Sequence, residues 1–231
     1  MSNIPMPPLA SPPCYAEELD HGVQGAVPRD AQQARDVARW RRAERERLTT
    51  ERKGLSVATR AHVSFLLSER LRALISDLTD GVQGRVIAGY WPIRGELDLR
   101  PLLREWRAAG AQLALPVVET RAAPLVFRQW TQGATLQRGE WSIPVPPATA
   151  AQVTPDIVLS PLVGWDAEGY RLGNGGGYYD RTLAAMSAPP LTIGVGLQAA
   201  RLPTIFPQAH DIAMTWIVTE QGVQSTREPL E

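Results

Sequence analysis

Cysteine is nearly absent from this chain. Of 231 residues only Cys14 carries a thiol, which excludes an intrachain disulfide and any cysteine-rich zinc site. Histidine is scarce as well, and His21, His62 and His210 are too scattered to suggest a metal cluster. No run of about 18 apolar residues is present to span a bilayer. The N-terminus lacks both the basic start and the continuous apolar segment of a secretory signal. Charge of one sign is missing too: 24 Lys and Arg balance 24 Asp and Glu, so neither nucleic acid nor an anionic membrane is expected as a partner. These absences lead to the expectation of a soluble, cytoplasmic protein.

What is present is ordinary in bulk and distinctive in places. Hydrophobic residues make up 44% and charged ones 21%, a globular composition on a chain long enough to bury a sizeable core. Pro5, Pro7, Pro8, Pro12, Pro13 and Pro28 mark residues 1–30 as a proline-rich arm. A single α/β domain is expected over residues 31–231.

Residues 31–53 read as an arginine-rich helix in which Arg41 and Arg45, four apart, share one face. That face is either a solvated, salt-bridged surface or a binding surface. Gly54 suits its end and Ser56 can cap the next helix, whose Val63, Leu66, Leu67, Leu71, Leu74, Ile75 and Leu78 recur at helical spacing as a core stripe. From Arg85 the period changes. Strands are expected over residues 85–91, 111–118, 125–130 (edge-like), 156–163, 191–196 and 215–218, with helices over 99–109 and 180–186. This alternation implies a mostly parallel sheet covered on both faces. Ligands of such sheets sit at the carboxyl ends of strands, where the turn over residues 91–96 and the stretch over residues 164–181 both fall.

That second stretch is the richest in the chain. Five glycines fall between positions 169 and 177, with Arg171 among them and Tyr178, Tyr179 and Asp180 behind. Glycine permits positive φ and close approach of backbone to a ligand. Successive N–H groups then form an anion nest, Arg171 can add a fixed fork, and Asp180 can hold a cation that accompanies phosphates. The same glycines also suit a tight strand-to-helix turn, and neither familiar nucleotide-binding glycine pattern is matched.

The run Arg171-Leu172-Gly173-Asn174-Gly175-Gly176-Gly177-Tyr178-Tyr179-Asp180, with Asp166 and Gly169 upstream, resembles the signature of the 5-formyltetrahydrofolate cyclo-ligase (methenyltetrahydrofolate synthetase) family. Similar to that family are also Pro92-Ile93-Arg94-Gly95-Glu96-Leu97-Asp98, residues 110–116, His210-Asp211 and residues 217–220. The likeness covers roughly residues 40–221. It implies a three-layer α/β/α, CoA-transferase-like fold with a mostly parallel, Rossmann-like open sheet. It also implies ATP-dependent closure of 5-formyltetrahydrofolate to 5,10-methenyltetrahydrofolate, ATP and Mg²⁺ as cofactors, and a monomer or weak homodimer.

Carried over residue by residue, the resemblance puts Arg41 and Arg45 on the ATP phosphates. It wraps Arg171, Leu172, Gly173, Asn174, Gly175, Gly176, Gly177, Tyr178 and Tyr179 around the nucleotide. Trp91 and Glu96 would contact the folate, together with residues 174–178, and Asp180 and Asp211 would hold Mg²⁺. Arg171, Tyr178 and Tyr179 would stand at the reacting groups. Arg41 occupies a place where lysine is common, Val145 that of a glutamate, Ala200 that of a glutamine and Thr215 that of an aspartate. These departures leave a second reading open, a non-catalytic nucleotide- or folate-binding paralogue. The proline arm and arginine helix leave a third, an interaction module.

Overall fold

The computed structural model describes residues 31–226; the expected proline-rich arm over residues 1–30 lies outside the described residues. The first helix, α1 (Ala31–Gly54), is polar in sequence. Ion pairs at helical spacing, Arg42–Glu46, Arg47–Glu44 and Arg47–Glu51, support its outer face. Its inner face buries Val37, Arg41, Leu48 and Arg52, so two of the four inward residues are arginines. The second helix, α2 (Val57–Leu78), starts at the expected cap, where the Ser56 hydroxyl accepts from the Thr59 N–H at 3.0 Å. It buries Leu67, Leu71, Leu74 and Ile75 of the expected stripe.

Seven strands form the main sheet. β1 (Val86–Ala88), β2 (Gln112–Val117), β6 (Ile157–Pro161), β9 (Leu191–Val195) and β10 (Trp216–Thr219) run parallel. β3 (Val126–Gln129) and β11 (Gly222–Thr226) pair antiparallel at the two edges. The spatial order is β11-β10-β9-β6-β1-β2-β3. The chain therefore leaves the centre in one direction after β1 and in the other after β6, and the crevice between these two strands is the topological switch point.

Alternating side chains build a layer on each face. Ile87, Leu113, Ile157, Leu159, Ile193, Val195 and Val218 pack with α2 and with Leu102, Leu103 and Trp106 of α3 (Arg100–Ala108). On the opposite side Ala88, Ala114 and Val158 form one cluster, while Ile217 joins a second that holds Trp165, Leu48 of α1 and Leu183 of α4 (Tyr178–Ala185). Strands buried on both faces account for the near-continuous apolar runs in the sequence. Each fully buried Leu, Ile or Val contributes about 1.5–3 kcal/mol against the entropy of ordering the chain. Two short hairpins complete the chain: β4 (Gln137–Arg138) with β5 (Pro144–Val145), and β7 (Gly164–Trp165) with β8 (Arg171–Leu172).

The architecture is the expected three-layer α/β fold, with differences at element ends. The strand expected over residues 85–91 closes at Ala88. Gly89 then passes so near α3 that a Cβ there would stand 2.5 Å from Leu103 Cδ1 and would force that buried side chain to shift. The helix expected from Asp180 begins at Tyr178, directly after Gly177 with φ 62°. β11 was not anticipated; it is a short polar segment drawn into the sheet by pairing with β10, with a register shift between Ile217 and Val218.

Candidate active site

A cavity of about 710 Å³ opens at the carboxyl ends of β1 and β6 and is walled by α1, the turn after β1, the glycine loop and the turn at Gln208 to Asp211. Of the residues singled out in the sequence, Arg41, Arg45, Trp91, Glu96, Arg171, Gly173, Asn174, Gly175, Gly176, Gly177, Tyr178, Tyr179, Asp180 and Asp211 all line it. Leu172 does not. It is fully buried in β8, packed among Trp165, Leu183 and Ile205, so its part is to anchor the loop from below.

The turn after β1 is bent by Arg94 (φ 49°) and Gly95 (φ 79°), the glycine lying against the backbone of Arg52 and Lys53. It carries Glu96 into the interior. One carboxylate oxygen, Oε2, accepts from the Ile93 N–H at 3.0 Å, and Oε1 accepts from Asn174 Nδ2 at 3.2 Å. Arg52 Nη2 stands 3.9 Å away. Burial raises the Glu96 carboxyl above its ordinary value, and the Ile93 amide, Arg52 and Asn174 only partly offset it. Trp91 forms an aromatic wall, with Trp130 edge-on at 6.2 Å and the Arg100 guanidinium 4.6 Å from its ring centre.

Another part of the wall carries three arginines, two of them paired with aspartates. Arg45 Nε donates to the Gly173 carbonyl at 2.8 Å, and burial followed by the neighbouring Arg41 charge lowers this guanidinium below its usual value. Arg41 is paired with Asp211 through two hydrogen bonds, 2.8 and 3.1 Å. Burial acts to raise Asp211, but the Arg41 donors and the Gln208 N–H outweigh it and hold the carboxyl below the usual range. Arg171 pairs with Asp180 at 3.0 Å, donates to the Ile212 carbonyl at 3.1 Å, and lies 5.6 Å from the Tyr179 ring centre. Asp180 Oδ1 accepts from the Ile212 N–H at 3.0 Å, so both aspartates converge on one short turn.

Those two carboxylates are hard oxygen donors on one wall, a set suited to Mg²⁺ when substrate phosphates supply further oxygens. Among the described residues no group of three or more His, Cys, Asp or Glu could hold a metal ion. A cation would therefore depend on the phosphates as well, and it would share Asp180 and Asp211 with Arg171 and Arg41.

Sequence reasoning missed Trp141. It is 59% exposed and lies edge-on to Tyr178 at 5.7 Å, on consecutive left-handed residues, Trp141 (φ 54°) and Ser142 (φ 60°). Backbone strain of this kind gathers at ligand sites, yet nothing in the local sequence announces it. Ala34 and Val37 of α1 and Pro116 of β2 complete apolar parts of the wall. None of Val145, Ala200 and Thr215 lines the cavity. Val145 packs against Gly139, Ala200 lies in the core beside Leu162, and the Thr215 hydroxyl bonds Thr192 at 3.0 Å.

Fold and cleft together define an α/β protein with a cavity at the strand-end switch point of a mostly parallel sheet. Comparison with known proteins narrows this. The 5-formyltetrahydrofolate cyclo-ligase family matches over residues 37–220. The chain is 34% identical over 169 residues to the 5-formyltetrahydrofolate cyclo-ligase of Mycolicibacterium smegmatis, spanning 69% of this chain and 86% of that protein. To the Escherichia coli K12 protein of the same name it is 36% identical over 107 residues, 44% of this chain and 59% of that one. The NMR structure of Aquifex aeolicus 5,10-methenyltetrahydrofolate synthetase superposes with a TM-score of 0.69 at 30% identity, covering 83% of this chain and 95% of that one. The Mycoplasma pneumoniae synthetase, at 21% identity and a TM-score of 0.62, with 78% of this chain and 98% of that one covered, shares the fold. The chain belongs to the 5-formyltetrahydrofolate cyclo-ligase family.

Proposed function

We propose that this chain uses ATP to close 5-formyltetrahydrofolate into 5,10-methenyltetrahydrofolate, releasing ADP and phosphate. One observation carries the reading beyond family membership: the Asn174 side chain of the glycine loop donates to Glu96 of the folate-facing turn. A phosphate cradle and a pterin-sized aromatic and carboxylate pair thus share a single cavity, within which a γ-phosphoryl group and a formyl oxygen can meet.

The formyl oxygen takes the γ-phosphoryl group and ADP departs, leaving an iminium phosphate. N10 then attacks the activated carbon, phosphate leaves with the former formyl oxygen, and N10 gives up its proton. Such chemistry asks for positioning and charge neutralisation more than for a nucleophile. Arg41, Arg45 and Arg171 supply positive charge around the phosphates. The backbone of residues 173–177 approaches them without side chains in the way. Trp91 offers its face to the flat pterin and Glu96 accepts from its N–H groups. Tyr178 and Tyr179 close the loop beside the reacting groups. Asp180 and Asp211 would hold Mg²⁺, which when bound supplies charge neutralisation at the phosphates. A single domain acting in the cytoplasm as a monomer or weak homodimer belongs to the same proposal.

Purified protein supplied with Mg-ATP and 5-formyltetrahydrofolate should show the rise in absorbance of the methenyl product. No rise, where a known cyclo-ligase gives one in parallel, overturns the reading. The paralogue alternative has no observation in its favour, because Val145, Ala200 and Thr215 all lie outside the cavity wall.

A further inference from the structure

Arg181 lies in the first turn of α4 and is absent from the cavity wall, although Gly176, Gly177 and Tyr178 all belong to it. Its guanidinium holds the loop from behind. Nη2 donates to the Gly176 carbonyl, the charged plane lies 5.0 Å from the centre of the Tyr178 ring, and Nη1 sits 3.0 Å from where a Cβ on Gly177 would be. The Arg181 amide also donates to the Gly177 carbonyl at 3.1 Å.

In a trans peptide the C=O and the following N–H point to opposite sides, and the described chain contains no cis bond. Drawing the Gly176 carbonyl back toward Arg181 therefore turns the Gly177 N–H toward the cavity. No backbone carbonyl accepts from that N–H among the described residues. The other end of the loop is held in the opposite sense: Arg45, which does line the cavity, takes the Gly173 carbonyl. Between these anchors a Cβ at Gly176 would meet the Tyr178 ring at 2.7 Å, so any larger residue would have to displace that ring. Such a peptide flips easily when nothing holds it. Flipped, it would present a carbonyl oxygen to an incoming anion in place of an N–H, at the point where the N-terminus of α4 also favours negative charge.

We infer that Arg181 is a positioning residue that sets the Gly176–Gly177 peptide so that the loop receives phosphate oxygens. The inference rests on the reading that nucleotide phosphates occupy this loop. It gives Arg181 no contact with substrate, only control of a peptide plane.

The test is calorimetric titration of the full chain with ADP and, separately, with 5-formyltetrahydrofolate. Arg181→Met should weaken ADP binding about tenfold and leave folate affinity within about twofold, with the melting temperature within about 2 °C of the parent. Arg181→Lys, whose ammonium can still reach the same carbonyl, should restore most of the ADP affinity. In turnover, KM for ATP should rise and KM for the folate stay put. Unchanged ADP affinity in Arg181→Met overturns the inference, and so does an equal loss for both ligands with a large fall in melting temperature. Should that variant fail to fold, the amide resonance of Gly177 in the ¹⁵N-labelled parent protein decides: a downfield shift on adding ADP supports the inference, and an unmoved resonance overturns it. A parent protein that binds no ADP would instead defeat the functional reading on which the inference rests.

Discussion

Asp166 has no exposed surface, and its carboxylate accepts from the Tyr170 N–H at 2.9 Å and the Ile205 N–H at 3.0 Å. Burial outweighs those hydrogen bonds and raises its pKa from 3.8 to about 6. The folded state therefore holds this proton more tightly than the unfolded chain does. The resulting stability is fully present below about pH 4 and is lost as the pH rises through about 6, a change on the order of 3 kcal/mol. Unfolding in urea across pH 4 to 7 should show it as the difference between parent and Asp166→Asn, the substitution becoming less destabilising as the pH rises. A flat difference would mean the carboxyl titrates normally. Glu96 makes a different prediction, because its oxygens face the cavity. Glu96→Gln should raise KM for the folate by about 10- to 100-fold, with KM for ATP within about threefold, since one charged acceptor is worth roughly 1.5–3 kcal/mol. Initial rates at varied folate check it, and an unchanged folate dependence removes Glu96 from the site.

At the scale of elements, α1 joins the site to the rest of the fold through arginines. The buried Arg41–Asp211 pair ties it to a turn 170 residues away. Removing either partner alone should cost about 3–5 kcal/mol, and removing both should cost less than the sum, because neither buried charge is then left unpaired. A denaturation double-mutant cycle measures this, and additive losses would show the pair to be uncoupled. The start of α2 is independent of the site, so Ser56→Ala should lower stability by about 1 kcal/mol and leave both KM values unchanged. Helices and buried strands were legible in the sequence wherever they carried their own signal: the α2 stripe, the cap at Ser56 and the apolar runs of β2, β6 and β9. β11 and the hairpin pair β4 and β5 were not, because short polar strands exist only through the partner they pair with.

For the whole molecule, the cavity is assembled from the N-terminal helix, two strand ends, a mid-chain loop and a C-terminal turn. A ligand filling it holds together segments that would separate on unfolding. ADP at about 100 times its Kd should raise unfolding free energy by about 2.7 kcal/mol, read as a shift in melting temperature. Arg45→Ala, which releases the Gly173 carbonyl, should shrink that shift, and an equal shift in parent and variant would place the nucleotide elsewhere. The site residues expected from the sequence, Leu172 excepted, reach this one cavity, because β1 lies beside β6, and the turn after β1 and the hairpin after β6 that carries the glycine loop leave from neighbouring strand ends.

The sequence by itself determined the alternation of strands and helices, the core stripes and the glycine loop, because burial periodicity and glycine content are properties of neighbours along the chain. Tertiary structure alone decided that Leu172 faces the core, that Arg41 meets Asp211 and Arg171 meets Asp180, that Trp141 stands over Tyr178, and that Arg181 holds the loop from behind. Charge pairing and the orientation of a peptide depend on which groups a fold brings within a few ångströms. In this protein most of those partners lie far apart in sequence.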